Sequence, residues 1–358
     1  MRALAILTVK NEAAFLLEWL AHHRAVGFTD FLVFSNDCSD GTAEMLDRLA
    51  AMGEITHQPN PGPWPQGPQW AALKAADRHP LTARADWVMV LDVDEFVTIH
   101  VGDGTLGALI AALPEATAIP LTWRLFGNCG VVEFADHPVT AQFPRAAPAG
   151  MTWPWRAAMI KTLFRNDGSY GKLGVHRPRA PDPARMGAQR WFDGSGRELP
   201  ALYHRQRLFT PLGQDSYALA QLNHYALGSM EGYLVKCDRG RANREAATFD
   251  MSYWTERNFC TVEDPSIRRY DGPAGAIRAR LMADATLARL HERGVAWRRA
   301  RIAALLMQDE FRQLFGRLML TPPARPLPPA AAARMLRLAQ AAQAVGDGTE
   351  TMRDPGAD

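Results

Sequence analysis

Cysteine is scarce in this chain. Only Cys38, Cys129, Cys237 and Cys260 occur in 358 residues, with no Cys-x-x-Cys pair and no Cys/His ligand spacing. That excludes a disulfide framework and a zinc cluster of the usual kind, and reads as reduced thiols in a cytosolic protein. Long apolar runs are also missing: nothing approaches the roughly 18 residues that a spanning helix needs. Neither sign of charge dominates, since 40 basic against 38 acidic residues give a formal charge of +2. No general electrostatic case for nucleic acid or an anionic membrane follows. Arg2 ahead of Ala3 to Leu7 looks superficially like a signal peptide, but Lys10, Asn11 and Glu12 interrupt the apolar run too early. The expected location is cytoplasmic, and attachment to the inner face of a membrane stays open. There is no internal repeat.

What the chain has is core: 47% of its residues are apolar, ample for one large domain or two smaller ones. Ala3 to Val9 reads as a strand, and from Asn11 to Ala25 the residues Phe15, Leu16, Trp19, Leu20 and His23 recur at helical spacing. The unit repeats as a strand over Phe31 to Phe34, a polar turn over Asn36 to Thr42 and a helix over Ala43 to Met52. A Pro- and Trp-rich loop, a helix near Gln69 to Arg78 and a strand from Trp87 to Leu91 come next. Strands alternating with helices predict a parallel α/β sheet whose ligand lies at the carboxyl ends of the strands. Further on, the pattern predicts a helix over Leu106 to Leu113 and strands over Ala118 to Trp123 and Met159 to Phe164. A short helix is expected over Tyr217 to Leu222 and another over Ser229 to Glu245. One or two long helices are expected from Ala274 to Phe315, with a break near Gly294. Residues 174–211 are expected to form an irregular excursion, and the tail from Thr321 is Pro- and Ala-rich.

The segment Leu91-Asp92-Val93-Asp94-Glu95 carries the strongest chemistry. An apolar strand delivers two carboxylates to its own carboxyl end, where the turning backbone can bring Asp92 and Asp94 onto one Mg²⁺ or Mn²⁺ ion. Asn11 and Glu12, and Asn36, Asp37 and Asp40, follow two other strands and face the same crevice. Short polar side chains there suit a base and a ribose, although Asn36, Asp37 and Ser39 also suit a helix cap. His224 offers a neutral imidazole that could complete a metal site begun at Asp94. Lys236 and Arg239, with Arg241 and Arg244, lie on the next helix, where two of them could engage a diphosphate. His176, with Arg177 and Arg179, is a further candidate for metal or phosphate, and one or two of Trp64, Trp70, Trp123, Trp153 and Trp155 for a stacking face.

These residues, in order, resemble the bacterial family-2-like glycosyltransferases, especially the branch related to glycosyltransferase family 92. The likeness is carried by Leu7 to Glu12 with Leu17-Glu18-Trp19 and His22-His23, by Asn36 to Thr42 and by Leu91 to Phe96. Downstream it is carried by Trp123 to Gly127, Leu222 to Tyr225 and Lys236 to Asn243, so it runs over roughly Arg2 to Tyr270. It implies a GT-A (Rossmann-like) nucleotide-diphospho-sugar transferase fold, α/β, with a mostly parallel mixed sheet and C-terminal helices. It implies a catalytic domain over 1–270, beyond which the residue pattern predicts a helical extension over 271–320 and the composition a partly mobile tail over 321–358. The implied activity is inverting, metal-dependent transfer from a nucleotide-sugar donor, UDP-sugar favoured, to a glycan or glycolipid acceptor.

By the same likeness Glu12 and Asp37 lie near the base and ribose, Asp92 and Asp94 near metal and diphosphate, and His224 is a late ligand of Mn²⁺ or Mg²⁺. Inverting transfer also needs a general base. Asp136 is the choice, with Glu133, Asp215 and Glu231 as rivals. Two other readings stand beside this one. An apolar strand before Asp-x-Asp also describes a haloacid-dehalogenase-like phosphohydrolase with Asp92 as nucleophile, and a glycosyltransferase scaffold can bind sugar nucleotides without turnover.

Overall fold

The computed structural model describes residues 1–240 and 250–345. Its elements are β1 (Ala3–Val9), α1 (Leu16–Val26), β2 (Asp30–Ser35), α2 (Thr42–Ala51), β3 (Thr56–Pro59), α3 (Pro68–Ala76), α4 (Pro80–Arg84) and β4 (Trp87–Leu91). Next come β5 (Glu95–Ile99), α5 (Leu106–Ala112), β6 (Ala118–Leu125), α6 (Val139–Gln142), β7 (Arg145–Ala146) and β8 (Ile160–Arg165). Then follow β9 (Tyr170–Lys172), β10 (Arg179–Pro181), β11 (Trp191–Phe192), β12 (Glu198–Leu199), β13 (Ala220–His224), α7 (Met230–Arg239), α8 (Met251–Thr255) and β14 (Val262–Glu263). Four helices close the described chain: α9 (Asp271–Met282), α10 (Ala285–Leu306), α11 (Asp309–Leu320) and α12 (Pro329–Val345).

β1 is buried along its whole length, and its period of two splits the core. Ala3, Ala5, Leu7 and Val9 face the side packed by Leu16, Trp19 and Leu20 of α1 and Met45, Leu46 and Leu49 of α2. Leu4 and Ile6 face the other side, with Ala72, Leu73 and Ala76 of α3. Such burial contributes about 1.5–3 kcal/mol for each large aliphatic side chain. A strand covered on both faces reads as a continuous apolar run.

The main sheet runs β12-β11-β6-β8-β4-β1-β2-β3. β3, β2, β1 and β4 are mutually parallel, and β8 is antiparallel to both β4 and β6. β13 pairs in parallel with β6 and antiparallel with β5. This is the expected α/β fold with a mixed sheet and helices at its C-terminal end. The excursion over 174–211 contributes three short strands, β10, β11 and β12, with β11 adding to the sheet edge at β6.

Two expectations are corrected. Residues 220–224 form a strand rather than the end of a helix, because they lie between β5 and β6 and are buried throughout. The break near Gly294 does not occur. α10 runs straight through it, and the helices part instead at Asp284, whose side chain accepts from Leu287 N, and near Met307. A Cβ at Gly294 would come 2.5 Å from Ala13 Cβ, so the glycine lets α10 lie directly against the segment entering α1. The four cysteines are free thiols, as expected. Arg241, Arg244 and the extreme tail, 346–358, lie outside the described residues.

Candidate active site at the carboxyl ends of the strands

In the order β2-β1-β4 the chain leaves β1 in both directions, so the ends of these strands open onto one crevice. The loop after β1 is held in place by the loop after β2. Asn11, at a positive φ of 56°, accepts from Ser39 N at 2.7 Å, and Asp40 accepts from Ala13 N and Thr42 N, each at 2.9 Å. Asn36 is fully buried and accepts from Asn60 Nδ2 at 2.6 Å. Three of the predicted nucleotide contacts, Asn11, Asn36 and Asp40, therefore tie the loops together. Asp37 differs: it is exposed at a φ of 41° near Gly62 and Trp64, and its carboxylate has no partner among the described residues.

At the end of β4 the carboxylates part company. Asp92 accepts from Lys161 Nζ at 2.9 Å and from Gln69 Nε2 at 3.2 Å. Lys161, wholly buried on β8, also lies 3.4 Å from Glu95 Oε2. Glu95 accepts from Asp92 N at 2.8 Å and Trp123 Nε1 at 2.7 Å. Burial pushes the Glu95 carboxyl up, and the adjoining Lys161 ammonium opposes that rise. Glu95 is thus the internal brace of the motif.

Asp94 turns the other way, where its Oδ2 accepts from Lys236 Nζ at 2.7 Å and its Oδ1 lies 3.7 Å from His224 Nε2. Burial disfavours its charge, yet the adjoining Lys236 ammonium holds the carboxyl well below the usual carboxylate range. Lys236 also donates to Ala226 O at 2.6 Å. Burial pushes the His224 imidazole down to about 3, so the ring is neutral. Its Nδ1 is buried without a hydrogen-bond partner, and at 3.7 Å its Nε2 is too far from Asp94 to bond it. Arg239 pairs with Glu12 and donates to Lys10 O at 2.8 Å.

Among the described residues, no three His, Cys, Asp or Glu side chains converge on one point. The expected trio is divided, because Asp92 is drawn to Lys161 while Asp94 and His224 face each other. That pair, one oxygen and one neutral imidazole, still matches what a small hard cation takes from a protein when phosphate and water fill its other positions.

Asp136 has its carboxylate on His291 Nε2 of α10, at 3.1 and 3.2 Å, and that hydrogen bond holds it below its ordinary range despite partial burial. Of its rivals, Glu231 accepts from Phe134 N at 2.8 Å, Asp215 accepts from Tyr217 N at 3.0 Å, and Glu133 is exposed. His176 bonds Ile160 O at 2.9 Å, and Arg179 lies over Trp70. Trp123 packs 4.2 Å from His224 and so braces the site from within.

Reading the sequence missed Lys161, Gln69 and Arg298. A lone lysine inside the apolar run Met159 to Phe164 was the available signal for the first. The others carried none.

The fold defines an α/β protein with a polar crevice at the carboxyl ends of its parallel strands. Residues 5–184 match the sequence profile described as Glycosyltransferase family 92, and the chain belongs to that family. It is 32% identical over 148 residues to a family 92 protein of Ricinus communis, covering 37% of this chain and 24% of that protein. It is 28% identical over 143 residues to one of Oryza sativa subsp. japonica, covering 38% of this chain and 23% of that protein. The match thus spans about a quarter of the length of these relatives. Among solved structures, S. aureus TarS 1–349 in complex with UDP is 14% identical with a TM-score of 0.30, covering 46% of this chain and 47% of that one. Membership of the family sets the phosphohydrolase reading aside. No described helix is long and apolar enough to cross a membrane.

Proposed function

We propose that this protein transfers a sugar from a nucleotide-diphosphate donor, UDP-sugar favoured, to a hydroxyl of a glycan or glycolipid, with inversion and with a divalent cation. The observation that carries this reading is the junction at the β4 end, where Asp94 sits between Lys236 and the neutral, unbonded Nε2 of His224. The nucleoside would lie over the ends of β1 and β2, with Asp37 free to accept from the ribose and Trp64 beside it. The diphosphate would then fall next to Asp94, Lys236 and Arg239.

Asp94 and His224 are the residues that would hold Mn²⁺ or Mg²⁺, which supplies charge neutralisation at the leaving diphosphate. Lys236 and Arg239 add fixed positive charge on the same side, so the leaving group departs into a preorganised field. Asp92, clamped by Lys161, orients the turn that presents Asp94. Asp136 is assigned the acceptor's proton: its carboxylate stays ionised on His291, and its neighbours Phe134 and Ala135 line the adjoining cleft.

Calorimetric titration with UDP, GDP, CDP and dTDP, each with and without Mn²⁺, tests the reading. Binding of one nucleotide that depends on Mn²⁺ supports it. No binding of any of the four overturns it.

A further inference from the structure

Next to Asp94 opens a cleft that is continuous with solvent. One end is polar, with Glu12, Asp94, Lys236 and Arg239, while Phe15, Val139, Phe143 and Leu227 form apolar walls. Lys236 and Arg239 are each matched by a carboxylate, Asp94 and Glu12.

Arg298, the remaining cation in the lining, is not matched in that way among the described residues. It is 7% exposed on α10, with its guanidinium 4.6 Å from the ring centre of Phe15 and 5.4 Å from that of Phe134. It donates to Gly232 O at 3.2 Å, its Nε has no partner, and no carboxylate lies at ion-pair distance among the described residues. Burial pushes it down to about 10, so it remains charged at neutral pH. Glu12 and Asp40 act on it only from beyond ion-pair distance, and a buried cation without a directly bonded counter-charge is costly. A planar fork flanked by aromatic rings suits a carboxylate or a phosphate.

We propose that this cleft is an acceptor subsite for an anionic group, carboxylate or phosphate, carried on an apolar body and seated on Arg298. The identification as acceptor rests on the transferase reading above. It is favoured by position, because the lining includes Asp94 and Lys236 at the transfer point and no residue of the loop after β2, and meets the loop after β1, on the nucleoside side, at Glu12.

The test is calorimetric titration of the full chain with 3-phenylpropionate, phenyl phosphate and the neutral 3-phenylpropanamide, with and without saturating UDP and Mn²⁺. At least one anion is expected to bind tenfold or more tightly than the amide, and the two anions tell carboxylate from phosphate preference. Arg298→Met should lose that difference and Arg298→Lys keep part of it. Val139→Trp, which fills the cleft and leaves Arg298 in place, should abolish probe binding even if Arg298→Met does not fold. Equal binding of anions and amide, or unchanged anion binding in a folded Arg298→Met, overturns the site. Displacement of the anion by UDP overturns its assignment to the acceptor. UDP titrated alone reports separately on the donor reading, so the two can fail independently.

Discussion

Lys161 Nζ lies 2.9 Å from Asp92 Oδ2, and no part of the Lys161 side chain is exposed. A buried ammonium on β8 thereby fixes the carboxylate at the end of β4, and the same ammonium reaches Glu95. Lys161→Met would leave two neighbouring carboxylates without their cation, one of them fully buried. The expected loss is about 3–5 kcal/mol, read from the midpoint of urea unfolding. Adding Glu95→Gln should recover part of it. A single variant as stable as the parent chain would show that Lys161 is no anchor.

Asp94 governs donor binding in a different way. Asp94→Asn keeps the shape but removes the charge that faces Lys236 and His224. The variant is expected to fold, with a circular dichroism spectrum like that of the parent, and to bind UDP equally with and without Mn²⁺. Parent-like Mn²⁺ dependence in the variant would remove Asp94 from the cation site.

The pH dependence of stability should carry a signature of His22. This ring is buried with Nε2 on Val97 O at 2.8 Å, and burial pushes it from 6.5 down to about 4. The unfolded chain takes up this proton as pH falls through 6.5, whereas the native chain does so only near 4. The neutral ring's contribution is therefore whole above pH 6.5 and is lost as pH drops across that window. Between pH 7.5 and pH 5 the parent should lose about 2 kcal/mol more than His22→Gln. Identical pH profiles by urea unfolding would contradict the depressed pKa.

Gly294 and Gly275 make a paired test of packing. Gly294→Ala would press a methyl against Ala13 and should cost about 1–3 kcal/mol of overpacking, partly offset by better helix propensity. Gly275, in α9, has no atom within 4 Å of a would-be Cβ. Gly275→Ala should therefore stabilise by up to about 1 kcal/mol. Thermal melts of the two variants should move in opposite directions, and a shared direction would refute the close contact between α10 and Ala13.

Much of this was legible beforehand. The alternation of β1, α1, β2, α2 and β4 follows from periodicity that no distant contact overrides, and the polar loops after those strands had to meet at one sheet edge. The strand β13 was misread because its residues lack a strong period and become a strand only through pairing with β5 and β6. The helix break was misplaced because Gly294 is there for contact with Ala13, which lies 281 positions earlier in the chain.

By itself, then, the sequence determined the α/β architecture, the delivery of Asp92 and Asp94 to a strand end, and the ordered motifs that belong to family 92. Local propensity and hydrophobic period are properties of neighbouring residues, and they survive without a fold. Only the tertiary structure decided that Asp92 goes to Lys161 and Asp94 to Lys236 and His224, and that Arg298 has no carboxylate at ion-pair distance among the described residues. Those outcomes depend on which buried charge meets which across more than sixty residues of chain, and burial is what makes each pairing, or its absence, matter.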